Sequence, residues 1–165
     1  MTQSFKDSFP SRKSQERGAT LVRNAAGEIK VRNESSGTAG TFQPSRNVGR
    51  GETIVGTYHT HPYDASEGSH TGVGFSAADI NYANHYKEQM YVDAGNRQFM
   101  VMPTQETPAI DYATLDKDWN DAFTASSVSG KTFEEATREA SLNVAKKYKM
   151  AYFEGAKGSF QRLSC

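Results

Sequence analysis

An alternating run of residues, 54–60, constrains the fold of this chain more than any other stretch. Successive side chains of a strand point to opposite faces, so a strand that continues to His61 places His59 and His61 on the same face. Further along the chain Ser76 begins a predicted helix as its N-cap, and Asp79 follows in the first turn. Two histidines and one carboxylate, with a fourth position left to water, are typical ligands of a catalytic zinc ion. The stretch therefore predicts a strand and a helix that meet at a metal site.

The helix after Ser76 favours a metal ligand independently of any motif. Asp79 shares one helical stripe with four other residues, Tyr82, Ala83, Tyr86 and Met90. We expect this stripe to face the protein interior. A carboxylate in such a place is costly unless a cation or a hydrogen-bond donor meets it, and a cation beside Asp79 would remove that cost.

Each of these features alone also has a simpler explanation. A His-x-His pair on an exposed strand is more often polar surface. A helix commonly begins with a serine and an acid in the first turn, because both satisfy its free backbone N–H groups. Residues 62–75 contain three further candidates, His70, Asp64 and Glu67, which we interpret as parts of a polar, mobile loop. His85 lies off the Asp79 stripe and is predicted to be a surface residue.

The conjunction of these features resembles a known family. His59-Thr60-His61-Pro62 followed by Ser76-Ala77-Ala78-Asp79 resembles the JAMM motif of the JAB/MPN superfamily of zinc-dependent peptidases and isopeptidases. That motif also has an upstream glutamate before a small residue and an apolar run. Glu16 fits this description, since Gly18 and the run 19–22 follow it; the competing glutamates are Glu28, Glu34 and Glu52. Residues 16–103 carry the resemblance, which is strongest to the compact bacterial members found in toxin and Rhs-type polymorphic proteins.

The resemblance implies a fold, an activity and a set of site residues. The fold is α/β of the MPN/JAB1-like (cytidine-deaminase-like) type, a mixed curved β-sheet flanked by helices. Zinc is held by His59, His61 and Asp79 and activates a water molecule, Glu16 is the general base, and Ser76 stabilises the oxyanion during amide hydrolysis. The chain departs from the family in its longer segment 62–75, and a loop can lengthen there at small entropic cost.

The partners follow from this activity, and two alternatives stay open. The substrate is expected to be a peptide or protein, and a role as a bacterial toxin or effector domain would add an immunity protein as a partner. One alternative is a catalytically inactive MPN-like scaffold that binds a partner protein. The other is a zinc hydrolase that cuts peptidoglycan cross-links by the same chemistry in a different cleft.

The remainder of the chain predicts one domain in three parts. Residues 1–15 form an N-terminal tail or short helix, and residues 16–103 form the JAMM/MPN-like catalytic core. Residues 104–165 form a helical extension packed on the same domain.

Within these parts the local patterns predict individual elements. Two β-hairpins are expected, at residues 19–31 and 90–102, with an irregular strand around Phe42 and with Tyr58 in the core. In the extension the patterns predict a helix at 111–123 and a second one at 133–154.

Composition excludes several classes of partner. The 19 basic and 19 acidic residues cancel, so no overall field draws the chain to nucleic acid or to an anionic membrane. A mean hydropathy of -0.72 and the lack of a long apolar run predict no membrane span. The amino terminus has no apolar signal segment, which predicts synthesis in the cytoplasm, with any export through a contact-dependent or type VI-like secretion system. The single cysteine, Cys165, has no partner for an internal disulfide.

Overall fold

The computed structural model describes residues 2–164 and shows a mixed α/β protein. The helices are α1 (Gln3–Lys6), α2 (Ala77–Tyr86), α3 (Tyr112–Val128) and α4 (Phe133–Lys147). The strands are β1 (Arg17–Arg23), β2 (Ile29–Ser36), β3 (Thr53–Thr60), β4 (Gln89–Asp93), β5 (Gln98–Met102), β6 (Ala151–Ala156) and β7 (Ser159–Ser164). Two short 3₁₀ turns lie at Pro10–Arg12 and Ala65–Glu67. Cys165 lies outside the described residues.

The seven strands form one sheet in the order β2-β1-β3-β4-β5-β6-β7. All neighbouring pairs are antiparallel except β3 and β4, which run parallel. Two parallel neighbours cannot be joined by a tight turn, so the chain crosses back over the sheet, and helix α2 lies in this crossover. The crossover brings the first turn of α2 to the end of β3, where the two histidines lie.

The hydrophobic core fills the space between one face of the sheet and helices α2, α3 and α4. Val92, Phe99 and Tyr152 supply side chains from the sheet, and Ile80, Leu115 and Val144 supply them from the helices. Helix α3 packs along α4, while α2 packs on β4 and β5 and α4 packs on β6 and β7. His59 pairs with Val92 across β3 and β4, so His59 lies on the helix-covered face, at the border of the core.

The carboxyl-terminal part differs most from the prediction. The expectation of one helix over 133–154 is wrong, because α4 ends at Lys147 and the next residues form β6 and β7. Lys149, with φ of 54°, reverses the chain direction after α4. Tyr152 and Glu154 then alternate with outward residues and bond to the free edge of β5. The extension is therefore not purely helical, and it adds two strands to the sheet.

Other local predictions have mixed outcomes. Both hairpins are present, as β1–β2 and β4–β5. Helix α3 begins where expected, after the N-cap Asp111, but runs past residue 123 to Val128. The predicted strand around Phe42 is wrong, since the segment between β2 and β3 has no strand. Tyr58 is half-buried on the opposite face of the sheet and not in the core.

No helix within residues 2–164 combines the length and the apolar character that a membrane crossing needs.

Candidate metal centre

The end of β3 and the start of α2 bring three potential metal ligands together. The Nε2 atoms of His59 and His61 lie 2.9 Å apart. Asp79 Oδ1 lies 3.3 Å from Nε2 of His59, and its Oδ2 lies 3.4 Å from Nε2 of His61. His59 and His61 are 4% and 7% exposed. This group could hold a metal ion.

The surroundings of the two imidazoles orient their Nε2 atoms toward each other. His61 Nδ1 lies 3.3 Å from the carbonyl oxygen of Val73, so Nδ1 carries the proton that this acceptor needs, and in the neutral ring the lone pair is on Nε2. The ring of Phe42 stacks on His59 with an interplanar angle of 20°. A Cβ atom at Gly18 would lie 2.3 Å from the backbone oxygen of Tyr58 and 2.5 Å from the Phe42 ring, so the backbone of β3 and this stacking both require a glycine there.

Asp79 is held by the capping box of α2. Its Oδ2 accepts hydrogen bonds from the backbone N–H and the hydroxyl of Ser76, both at 2.8 Å, and the Asp79 N–H returns one to Ser76 Oγ. These bonds hold the carboxylate in contact with both histidines. Only 16% of the Asp79 side chain is exposed. The helical stripe of Asp79 was expected to be inward. Ala83 on that stripe is buried in the core, as expected, but Tyr82 and Tyr86 line an open cleft. Met90 lies beyond the end of α2, on β4.

Glu16 reaches the same cleft from the residue before β1. Strand β1 pairs antiparallel with β3, with Gly18 opposite His59, and extending this register places Glu16 beside His61. Glu16 is 7% exposed and lines the cleft with both histidines. Of the competing glutamates, Glu28 pairs with Lys30 and Glu52 with Arg32, both away from this cleft.

The electrostatics of the centre follow from burial and from the mutual fields of these groups. Burial raises the pKa of Glu16, and the neighbouring His59 and His61 only partly oppose this effect. Burial also opposes charge on Asp79, but His59 and His61 outweigh it and hold the pKa of Asp79 well below its ordinary value. For His61, burial lowers the pKa, but Asp79 and Glu16 overcome it, so that the pKa is raised. The site thus favours an ionised Asp79 and attracts positive charge.

The cleft around these residues has a volume of about 520 Å³. One wall carries Arg46, which binds both carboxylate oxygens of Glu88 at 2.6 and 2.9 Å and lies over the ring of Tyr86. This arrangement ties the segment between β2 and β3 to the end of α2. The Arg46 charge is therefore already compensated where it meets the cleft.

The three other candidates in residues 62–75 do not join the metal group. His70 Nδ1 bonds to Glu134 at 2.8 Å, while Asp64 accepts from the N–H of Ser14 and Glu67 accepts from its hydroxyl. These contacts fasten the segment to α4 and to the amino-terminal part, so it has more fixed contacts than a polar mobile loop would. His85 is exposed, as predicted.

Several cleft residues escaped sequence reasoning: Phe42, Arg46, Tyr63, Trp119 and Phe133. They come from segments far apart in the chain, and none carries a local pattern that distinguishes a cleft residue from an ordinary core residue. Trp119, the single tryptophan, is half-buried, a state common for a tryptophan with a purely structural role.

Comparison with models of known protein families, with curated proteins and with solved structures gave no significant match.

Proposed function

We propose that this protein is a zinc-dependent hydrolase of peptide or isopeptide bonds, of the kind that its JAMM-like motif suggests. The observation that carries the proposal is the convergence of His59, His61 and Asp79 in one buried group, with Glu16 lining the same cleft. These residues come from three separate stretches of the chain.

The donor set fits zinc. With Zn–N bonds of about 2.0–2.1 Å and tetrahedral angles, neighbouring ligand atoms lie about 3.3 Å apart. The two Nε2 atoms are 2.9 Å apart and Asp79 Oδ1 is 3.3 Å from His59 Nε2, both near this value, and one ligand atom from each of the three residues lies within 4.8 Å of the others. The two Nε2 atoms face each other at 2.9 Å, and a cation bound by the lone pairs of the two neutral rings would satisfy both nitrogens. Two imidazoles and one carboxylate also leave a position open to water.

A zinc ion held there would lower the pKa of water from about 15.7 to about 7 and so supply a nucleophile at neutral pH. Glu16 then acts as the general base: it takes a proton from the attacking water and returns it to the leaving nitrogen as the C–N bond breaks. The raised pKa of Glu16, caused by burial, suits a group that must both accept and release a proton.

Ser76 is the candidate donor to the substrate carbonyl oxygen as negative charge develops on it. Its hydroxyl lines the cleft and donates to Asp79 Oδ2, which also accepts from the Ser76 N–H. Since that oxygen keeps its backbone donor, rotation of the hydroxyl toward a substrate leaves Asp79 with a partner. One such donor is worth about 3 kcal/mol of transition-state stabilisation.

The metal content of the purified protein tests the proposal together with peptide hydrolysis. We expect one zinc per chain in wild type, loss of zinc in His59→Ala, and retained zinc without hydrolysis in Glu16→Gln. A metal-free scaffold would hold no stoichiometric zinc, which would overturn the proposal. Digestion of purified cell wall in parallel with protein substrates distinguishes a peptidoglycan hydrolase from a peptidase.

A role as a toxin has a separate test in living cells. We propose that expression of wild type in a bacterial cytoplasm or periplasm slows growth, and that Glu16→Gln and His59→Ala do not. Equal growth inhibition by all three proteins would remove hydrolysis as its cause.

A further inference from the structure

A continuous row of four aromatic side chains borders the candidate metal centre. The ring centroids of Tyr63 and Phe133 are 6.0 Å apart, those of Phe133 and Phe123 are 5.9 Å apart, and those of Phe123 and Trp119 are 5.3 Å apart. The four residues come from the segment after β3, from α3 and from the start of α4. We refer to them as the aromatic row.

Both ends of the aromatic row are attached to the site. Tyr63 follows the His59-Thr60-His61-Pro62 sequence directly. At the other end, Trp119 Nε1 donates a hydrogen bond of 3.0 Å to the carbonyl oxygen of Phe75, the residue before Ser76. Tyr63, Phe133 and Trp119 also line the same cleft as Glu16 and the metal group. The row thus extends along the cleft from the histidine side to the Ser76 side.

The aromatic row is not an ordinary part of the core. Phe133 is 37% exposed, and the other three rings are half-buried. Covering exposed aromatic surface with an apolar group is favourable by about 25 cal/mol for each Å² of apolar surface buried. Such a surface next to a candidate reactive centre therefore suits an apolar ligand. Three of the four rings, those of Tyr63, Trp119 and Phe133, line the cleft that a substrate would enter.

Charges near the aromatic row are compensated by partners within the protein. His70, which contacts the rings of Tyr63 and Phe133, is paired with Glu134. Across the cleft, Arg46 is paired with Glu88. The carboxylates of Glu16 and Asp79 also line this cleft, but they lie at the metal group. A charged substrate side chain on the aromatic row itself would meet only rings and paired charges and would lose its hydration, while an apolar side chain would lose nothing.

We propose that the aromatic row is the specificity subsite of this protein and binds a bulky apolar side chain, such as Phe or Leu, next to the scissile bond of a peptide substrate. This inference rests on the proposed hydrolase function. The aromatic row then selects among peptide substrates by the side chain next to the bond that is cut.

Trp119 gives a direct binding assay, since it is the only tryptophan in the chain and lies within the aromatic row. The zinc-loaded Glu16→Gln protein is titrated with blocked tetrapeptides that differ at one position, Phe, Leu, Gly, Asp or Lys. We expect saturable changes in Trp119 fluorescence with the Phe and Leu peptides at concentrations at least about tenfold lower than with Gly, Asp or Lys. Equal response to all five peptides, or none to any, would overturn the subsite.

Phe133→Ala tests the aromatic row, and Phe160→Ala is its matched control. Phe160 is 38% exposed and lies on β7, outside this cleft, so the two substitutions remove similar apolar surface. We expect Phe133→Ala to reduce kcat/KM for the Phe peptide about tenfold and to leave the Gly peptide unchanged. Phe160→Ala should leave both unchanged, and Phe133→Leu should restore most of the preference.

The two proposals fail in different ways. Zinc binding and hydrolysis with no preference for an apolar residue, or with a preference that Phe133→Ala leaves intact, would refute the subsite alone. Absence of zinc would refute the hydrolase, and the fluorescence titration of the metal-free protein would then still measure whether the aromatic row binds apolar peptides. Thermal unfolding of each variant establishes that a lost preference is not a lost fold.

Discussion

The substitution Asp79→Asn isolates the contribution of one ligand charge to the proposed zinc site. Asparagine has nearly the same shape as aspartate, and its amide oxygen still accepts the Ser76 N–H bond that holds the first turn of α2. The negative charge between His59 and His61, however, is removed. The folded protein should therefore persist while its affinity for zinc falls.

The size of the effect follows from linkage between binding and unfolding. Zinc at 100 times its Kd stabilises the wild-type fold by about 2.7 kcal/mol. For a domain of this length 1 kcal/mol corresponds to about 2–4 °C, so the zinc-induced rise in Tm is about 5–11 °C. Loss of a group that only supports a metal ligand weakens metal binding by up to about 100-fold. If Asp79→Asn weakens zinc binding by that factor, the same zinc concentration stabilises the variant by only about 0.4 kcal/mol. The rise in Tm then falls to about 1–2 °C.

Circular dichroism melting of chelator-treated protein, with and without added zinc, measures these shifts. Asp111→Asn is the matched control, because Asp111 caps α3 by accepting a hydrogen bond from the Thr114 N–H, away from the metal group. Asparagine is an equally good N-cap, so this variant should keep the full zinc shift. A full shift in Asp79→Asn, or no shift in wild type, would refute the assignment of Asp79 as a ligand.

Three further predictions concern the groups around the metal. Glu16→Gln should keep stoichiometric zinc while kcat/KM falls by about 10²–10⁴-fold; hydrolysis at the wild-type rate would remove Glu16 from the mechanism. Because burial raises the pKa of Glu16, the folded chain binds this proton more tightly than the unfolded chain, and ionised Glu16 costs folding free energy at neutral pH. Metal-free Glu16→Gln should therefore melt above wild type at pH 7, and the difference should shrink as the pH falls through the raised pKa of Glu16 and vanish below the ordinary pKa of glutamate; a lower Tm at pH 7 would contradict this. Ser76→Ala and Thr132→Ala each remove a helix N-cap and should lower Tm by about 2–4 °C, for about 1 kcal/mol. Only Ser76→Ala should slow hydrolysis, and equal activity of the two variants would exclude a role for the Ser76 hydroxyl.

Local chemistry explains why much of the site could be predicted. The alternation through β3 places His59 and His61 on one face without reference to any other part of the chain. The capping box of α2 likewise connects Ser76 and Asp79 within one turn. Glu16 required the resemblance, since a single glutamate before a strand carries no signal of its own. The antiparallel pairing of β1 with β3 then explains its place beside His61.

The wrong secondary-structure predictions have a common physical origin: the sheet edge or packing surface that a segment finds in the folded protein decides its conformation. Residues 148–154 suit the inner face of a helix or an alternating strand about equally. The open edge of β5, which only the folded sheet provides, favours the strand. The sequence predicts an irregular strand around Phe42, but in the structure its ring stacks on His59, where Gly18 leaves room for it.

The sequence by itself determined the two short segments that carry the candidate metal ligands, because strand alternation and helix capping depend on residues a few positions apart. Only the tertiary structure decided what surrounds those ligands. The aromatic row and the pairing of Arg46 with Glu88 join residues from distant segments. Such contacts depend on how the crossover helix α2 and helices α3 and α4 pack on the sheet, and no local pattern specifies that packing.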